Sequence, residues 1–215
     1  MTDTSELLEK YILEHIDDED QLLKKLNRET HVKVLYSRML SGHLQGKILS
    51  MLTQMVKPKN ILELGTFTGY SALCLAKGLA EDGKLHTIEV NDELEEMAAK
   101  YFEASEYANQ IVQHVGDATE IVPTIDEEFD LVFLDADKRL YSEHFDLIFP
   151  KVPVGGYIIA DNTLWSGKVI EELHPNDEQT KAILAFNKKV KEDTRVETVI
   201  LPFRDGMTVL HKVSD

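Results

Sequence analysis

Two apolar runs in the second half of this chain end in oxygen-bearing side chains. Phe129-Asp130-Leu131-Val132-Phe133-Leu134 is followed by Asp135-Ala136-Asp137-Lys138, and Gly155-Gly156-Tyr157-Ile158-Ile159-Ala160 by Asp161-Asn162. If the runs are neighbouring strands, they lie about 4.8 Å apart. Asp135, Asp161 and Asn162 then converge on one spot. Carboxylates that close repel unless they share a proton or a cation. Two carboxylates and an amide oxygen are hard ligands, suited to Mg²⁺ first, with Mn²⁺ or Ca²⁺ as alternatives. Each residue taken singly also suits a turn or a helix cap. Lys138 stands beside the group. A nearby cation disfavours its ammonium, so it could accept a proton from a substrate hydroxyl. It could equally be a lysine paired with Asp135 or Asp137. Asp137 reads either as an acid facing substrate or as a cap for the helix that carries Tyr141.

A second group lies upstream, in Ile61-Leu62-Glu63-Leu64-Gly65-Thr66-Phe67-Thr68-Gly69-Tyr70-Ser71. It reads as a strand, a glycine turn and the start of a helix, the opening of a nucleotide-binding α/β unit. The spacing is Glu63-x-Gly65-x-x-x-Gly69, not the G-x-G-x-x-G that cradles a pyrophosphate. A carboxylate beside the turn suits a ligand with an ammonium and a sulfonium, such as S-adenosylmethionine. Glu89 ends the next apolar run about 20 residues on, where an acid can take the ribose hydroxyls of an adenosine ligand.

These residues need a frame, and the apolar pattern supplies one. Strands are expected at 60–65, 84–90, 110–115, 129–135 and 155–161, with amphipathic helices between them (Leu94, Met97, Ala98, Tyr101 and Phe102, then Tyr141, Phe145, Ile148 and Phe149). Near-continuous apolar strands alternating with helices indicate a parallel sheet covered on both faces. A helix around 177–191 leads to strands 195–201 and 207–213, joined by Pro202-Phe203-Arg204-Asp205-Gly206 as an antiparallel hairpin. Residues 3–56 read as helical. Leu8, Tyr11, Ile12 and Ile16 share a face, then Leu22, Leu23 and Leu26. Ile48, Leu49, Leu52, Met55 and Val56 mark a third helix. Arg38 to Gly46 is expected to be a loop folded over the ligand site or a connector.

The whole reads as one α/β domain over 1–215, with a helical N-terminal cap (1–56) and a Rossmann-like core (57–215). A net charge of −16 argues against nucleic-acid and anionic-membrane partners. No apolar run reaches membrane-spanning length, and the N-terminus lacks the basic and apolar regions of a signal peptide. Cys74 is the only cysteine and reads as a packed core thiol. A cytoplasmic location is expected.

The glycine turn and Glu89 resemble the class I S-adenosylmethionine-dependent methyltransferases, where Gly116-Asp117-Ala118 falls at the adenine contact. Leu134-Asp135-Ala136-Asp137-Lys138 with Tyr141, and Asp161-Asn162-Thr163-Leu164-Trp165-Ser166-Gly167, resemble the cation-dependent O-methyltransferases that act on catechols and caffeoyl-coenzyme A. The resemblance runs from about Met39 to the C-terminus. It implies a mostly parallel seven-stranded sheet with a C-terminal antiparallel hairpin. It implies Asp135, Asp161 and Asn162 as metal ligands and Lys138 as general base. Met39, Ser41, Glu63, Gly65, Thr66, Phe67, Ser71, Glu89, Asp117 and Ala118 would line the cofactor, with Asp135 reaching its amino group. The implied reaction is methyl transfer from S-adenosylmethionine to one hydroxyl of an aromatic vicinal diol, by a homodimer formed through the N-terminal helices. Arg204 departs from the pattern and could narrow the site's mouth, pair with an acidic substrate, or be a plain surface arginine. Trp165 could wall the substrate or merely pack, and the loop of His43 should lie near the cofactor. The alternatives are a nicotinamide-dependent oxidoreductase, which wants the missing G-x-G-x-x-G, and a non-catalytic adenosine-ligand-binding protein, which would not need the acids and the lysine.

Overall fold

The structure is a computed structural model describing residues 4–215. Helices α1 (Thr4–His15), α2 (Gln21–Lys33) and α3 (Gly42–Val56) precede the sheet. Then come β1 (Asn60–Leu64), α4 (Tyr70–Ala76), β2 (Lys84–Glu89), α5 (Glu95–Glu103), β3 (Ile111–Val115) and the short α6 (Ala118–Ile121). The chain continues through β4 (Leu131–Leu134), α7 (Tyr141–Ile148), β5 (Tyr157–Asp161), α8 (Glu178–Glu192), β6 (Val196–Leu201) and β7 (Met207–Lys212). Among the described residues no helix is long and apolar enough to cross a membrane.

The seven strands are ordered β3-β2-β1-β4-β5-β7-β6. The first five pair in parallel, while β7 runs antiparallel between β5 and β6. Side chains alternate across the pleat, so each strand feeds two cores. Leu62, Leu64, Val132, Leu134, Ile158 and Ala160 face α7 and α8 with Phe145 and Phe186. Ile61, Leu131, Phe133 and Ile159 face α2 to α5 with Leu26, Leu49, Leu73 and Phe102. Strand order reverses between β1 and β4, and the crevice beyond their carboxyl ends is where an open α/β sheet takes its ligand.

The N-terminal helices depart from expectation. The third helix begins at Gly42, so half of the expected loop is helical. It also packs on an unexpected face, burying Gln45, Gly46, Leu49, Ser50 and Thr53. Closeness of approach decides this. A Cβ on Gly46 would lie 2.7 Å from Cys74 Sγ and 2.8 Å from the Tyr70 ring, so only a glycine lets α3 sit on α4. Met51 and Met55 are left 54% and 80% exposed. On α1 the stripe of Leu8 and Tyr11 is likewise exposed. Cys74 is buried, and burial pushes its thiol up to about 12, as befits a core residue.

Candidate active site

The register pairs Leu134 with Ala160, making Asp135 and Asp161 the next residues on adjacent strand tips. Asp161 is almost fully buried, and Asp135 is partly buried. Burial first, and the Asp135 charge second, push the Asp161 carboxyl up to about 6. Lys138 Nζ lies 2.6 Å from Asp135 Oδ1 and donates also to the Tyr141 hydroxyl at 2.7 Å. That hydroxyl lies 3.0 Å from the Leu134 carbonyl and 2.9 Å from that of Asp161. Tyr141 thus ties the two tips together. Asn162 adopts a left-handed backbone at φ 58°, which turns the chain sharply out of β5. Its side-chain amide makes no hydrogen bond to the described residues. Asp137 is a cap, accepting from the Arg139 backbone N–H at 3.0 Å and pairing with that guanidinium.

A hard cation fits this donor set. One oxygen of each aspartate is held, by Lys138 and by Gln45, which leaves the other oxygens and the Asn162 amide as donors. The described residues contain no cluster of three or more His, Cys, Asp or Glu side chains able to hold a metal, so a third protein donor would have to be of another type, and the adjoining Asn162 amide is of such a type.

The glycine turn lies beside this spot. Gly65, at φ 103°, lacks the Cβ that would sit 2.2 Å from the Asp135 carbonyl oxygen, so β1 and β4 can end side by side. Glu63 is fully buried and accepts from the Thr87 hydroxyl at 2.5 Å, with Thr66 a further 2.5 Å along. Among the described residues its Oε1 finds no hydrogen-bond partner. Burial drives its carboxyl up to about 8 against the opposing pull of the Ser71 and Thr87 hydroxyls. An orphaned buried acceptor suits a ligand with N–H donors. Glu89 accepts from the Phe67 backbone N–H at 2.7 Å and the Asn91 N–H at 3.0 Å, so its carboxylate is fixed at the end of β2. Asp117 caps α6 through the Thr119 N–H at 2.7 Å, beside Ala118. Ser41 is buried just before α3, and Met39 stands exposed on the turn before it.

Three residues left open by the sequence have definite partners. His43 meets the Asp17 carbonyl at 2.8 Å, tethering the α1–α2 connection. Trp165 is half-buried on the α7–α8 side, with Nε1 unpartnered, and packs against the core. Arg204 is no plain surface arginine. It donates to Gln45 Oε1 at 2.8 Å and to the Ser41 carbonyl. The roles of Tyr141 and Gln45 were not anticipated. Tyr141 carried a signal in its spacing three residues after Lys138, whereas Gln45 carried none. A groove of about 720 Å³ opens at the opposite, amino end of the strands between α3 and β7, remote from these acids.

Residues 13–213 match a family described as O-methyltransferase. Caffeoyl-CoA O-methyltransferase 1 of Nicotiana tabacum is 33% identical, over 98% of this chain and 93% of its own length. The enzyme of the same name from Arabidopsis thaliana is 34% identical, over 98% and 86%. Among solved structures, the O-methyltransferase TomG of Streptomyces achromogenes, involved in tomaymycin synthesis and seen with SAM, superposes with a TM-score of 0.91 at 29% identity over all of both chains. The Bacillus cereus O-methyltransferase, seen with SAH, gives 0.86 at 26% identity over 96% of this chain and 97% of its own. The chain belongs to the O-methyltransferase family and is an S-adenosylmethionine-dependent O-methyltransferase. The dehydrogenase and non-catalytic readings are set aside.

Proposed function

We propose that this enzyme methylates one hydroxyl of a small aromatic vicinal diol, with Lys138 as general base and a divalent cation, Mg²⁺ first, held by Asp135, Asp161 and Asn162. The observation that carries the reading is the pairing of Leu134 with Ala160, which makes the two aspartates neighbours with Lys138 Nζ 2.6 Å from one of them. When bound, the cation supplies a Lewis acid that lowers the pKa of a coordinated hydroxyl. Lys138 in its neutral amine form would take that hydroxyl's proton at Nζ. Glu63, Gly65, Thr66, Phe67, Ser71, Glu89, Asp117 and Ala118, with Met39 and Ser41, line the methyl donor's seat in this reading. Asp135 takes the donor's ammonium, and the unpartnered Glu63 Oε1 sits beside the donor as an acceptor. The protein's largest contribution is then positioning, holding the oxygen in line with the methyl carbon. Such orientation is worth up to roughly 7–11 kcal/mol in the best intramolecular cases.

Residues 1–215 act as one unit in this reading, with 1–56 as the cap, and the free buried thiol agrees with a cytoplasmic setting. We infer a homodimer as well, from the exposed apolar strip on α3. Incubation with S-adenosylmethionine and a panel of catechols, with and without Mg²⁺ and a chelator, tests the chemistry. Turnover that the chelator abolishes and Mg²⁺ restores is expected. Undiminished turnover in chelator would refute the metal's part.

A further inference from the structure

The candidate metal ligands are not equally provided for. Asp135 has Lys138 Nζ at 2.6 Å, whereas Asp161, the more buried of the two, takes its side-chain hydrogen bond from a neutral amide, Gln45 Nε2 at 2.7 Å, with the Lys138 charge acting on it from further off. Gln45 is itself 2% exposed. An amide can present either end, and what lies behind it decides which. Arg204 has donors only, and its Nη1 lies 2.8 Å from Gln45 Oε1. The oxygen must therefore face the guanidinium and the NH₂ must face Asp161. Arg204 is held in turn on the Ser41 carbonyl. From the reverse turn of the terminal hairpin to the tip of β5, each link fixes the next.

We propose that Gln45 is a positioning residue for Asp161, oriented by Arg204, which aims the carboxylate's free oxygen toward the cation while leaving its charge unspent. This rests on the metal reading given above. The neutrality of Gln45 is the point. A lysine or arginine there would pair with Asp161 and compete with the cation, and a second acid would repel it. The amide donates to one oxygen and leaves the full negative charge for the metal. Outer contacts of this kind orient metal ligands, and their loss typically costs about 10–100-fold in metal affinity.

The test is Mn²⁺ titration of the full chain by calorimetry, together with S-adenosylmethionine affinity and the unfolding midpoint. Gln45→Leu keeps bulk and removes the donor, and its Mn²⁺ affinity is expected to fall about tenfold or more. Arg204→Met should weaken Mn²⁺ in the same direction but less. The double variant should be no weaker than Gln45→Leu, because Arg204 acts through Gln45. Plain loss of packing would lower the unfolding midpoint without this saturation. If Gln45→Leu does not fold, Arg204→Met decides, and unchanged Mn²⁺ affinity there overturns the inference. A parent that binds Mn²⁺ while folded Gln45→Leu binds it within twofold overturns the inference alone. A parent that binds no Mn²⁺ overturns the metal reading and this inference with it.

Discussion

Lys138 is held by two oxygens of different kinds, a carboxylate and a phenol, in a pocket that leaves it almost no contact with water. A lysine so fixed has lost its side-chain freedom before any substrate arrives, so little ordering remains to be done at the moment of proton transfer. Lys138→Met should therefore lower kcat by about 10²–10⁴, the usual contribution of a positioned base, while S-adenosylmethionine affinity stays near that of the parent. Single-turnover kinetics with a catechol would read this, and a rate within a few fold of the parent would remove the lysine from its role. Glu63 offers a second test. Its folded carboxyl titrates at about 8, above the 4.5 of the free side chain. The unfolded chain thus gives up this proton at lower pH than the folded one does. The stability linked to it is complete below about pH 4.5 and is lost as pH rises through about 8. Glu63→Gln cannot titrate, so its unfolding midpoint should hold steadier than the parent's between pH 5 and 8. Parallel curves for the two proteins would contradict the raised pKa.

At the scale of elements, what could be read in advance was whatever the chain states locally. The parallel strands are short apolar runs such as Leu131–Leu134, and the residues that follow a run necessarily sit at its tip. Glu63, Glu89, Asp135 and Asp161 were therefore found at strand ends. Gln45 could not be found that way, because its partners are 116 and 159 residues away and only the folded topology brings them together. The face of α3 was misjudged for a related reason. Its apolar residues mark one side, yet the side that packs is the one whose small residues fit α4. Gly46→Val would place a branched side chain against Cys74 and Tyr70, and overpacking of this kind typically costs about 1–3 kcal/mol. A lower urea midpoint with an unchanged m-value is expected. No loss of stability would mean that the α3–α4 approach is looser than 2.7 Å implies.

For the whole molecule, the outward turn of α3 leaves an apolar surface that continues onto the sheet. Ile159, Val209 and Val199 stand opposite one another across β5, β7 and β6, so they share a face, and Val199 is 52% exposed. Met55 and Val209 line one groove. A second copy of the chain covering this strip would remove it from water, and a standard interface buries about 800 Å² of surface per partner. Charge opposes the association, since each copy carries −16 and like-charged molecules repel until salt screens them. The expected species in sedimentation at moderate salt has twice the mass of the 24.5 kDa chain, and it should dissociate more readily as salt is lowered. Met51→Glu with Met55→Glu adds two buried charges to each half of the interface without touching the strand-tip acids. That variant should run at the single-chain mass while keeping its unfolding midpoint, because both positions are exposed in the lone chain. A parent that sediments at the single-chain mass at every salt concentration would show that this face has some other use.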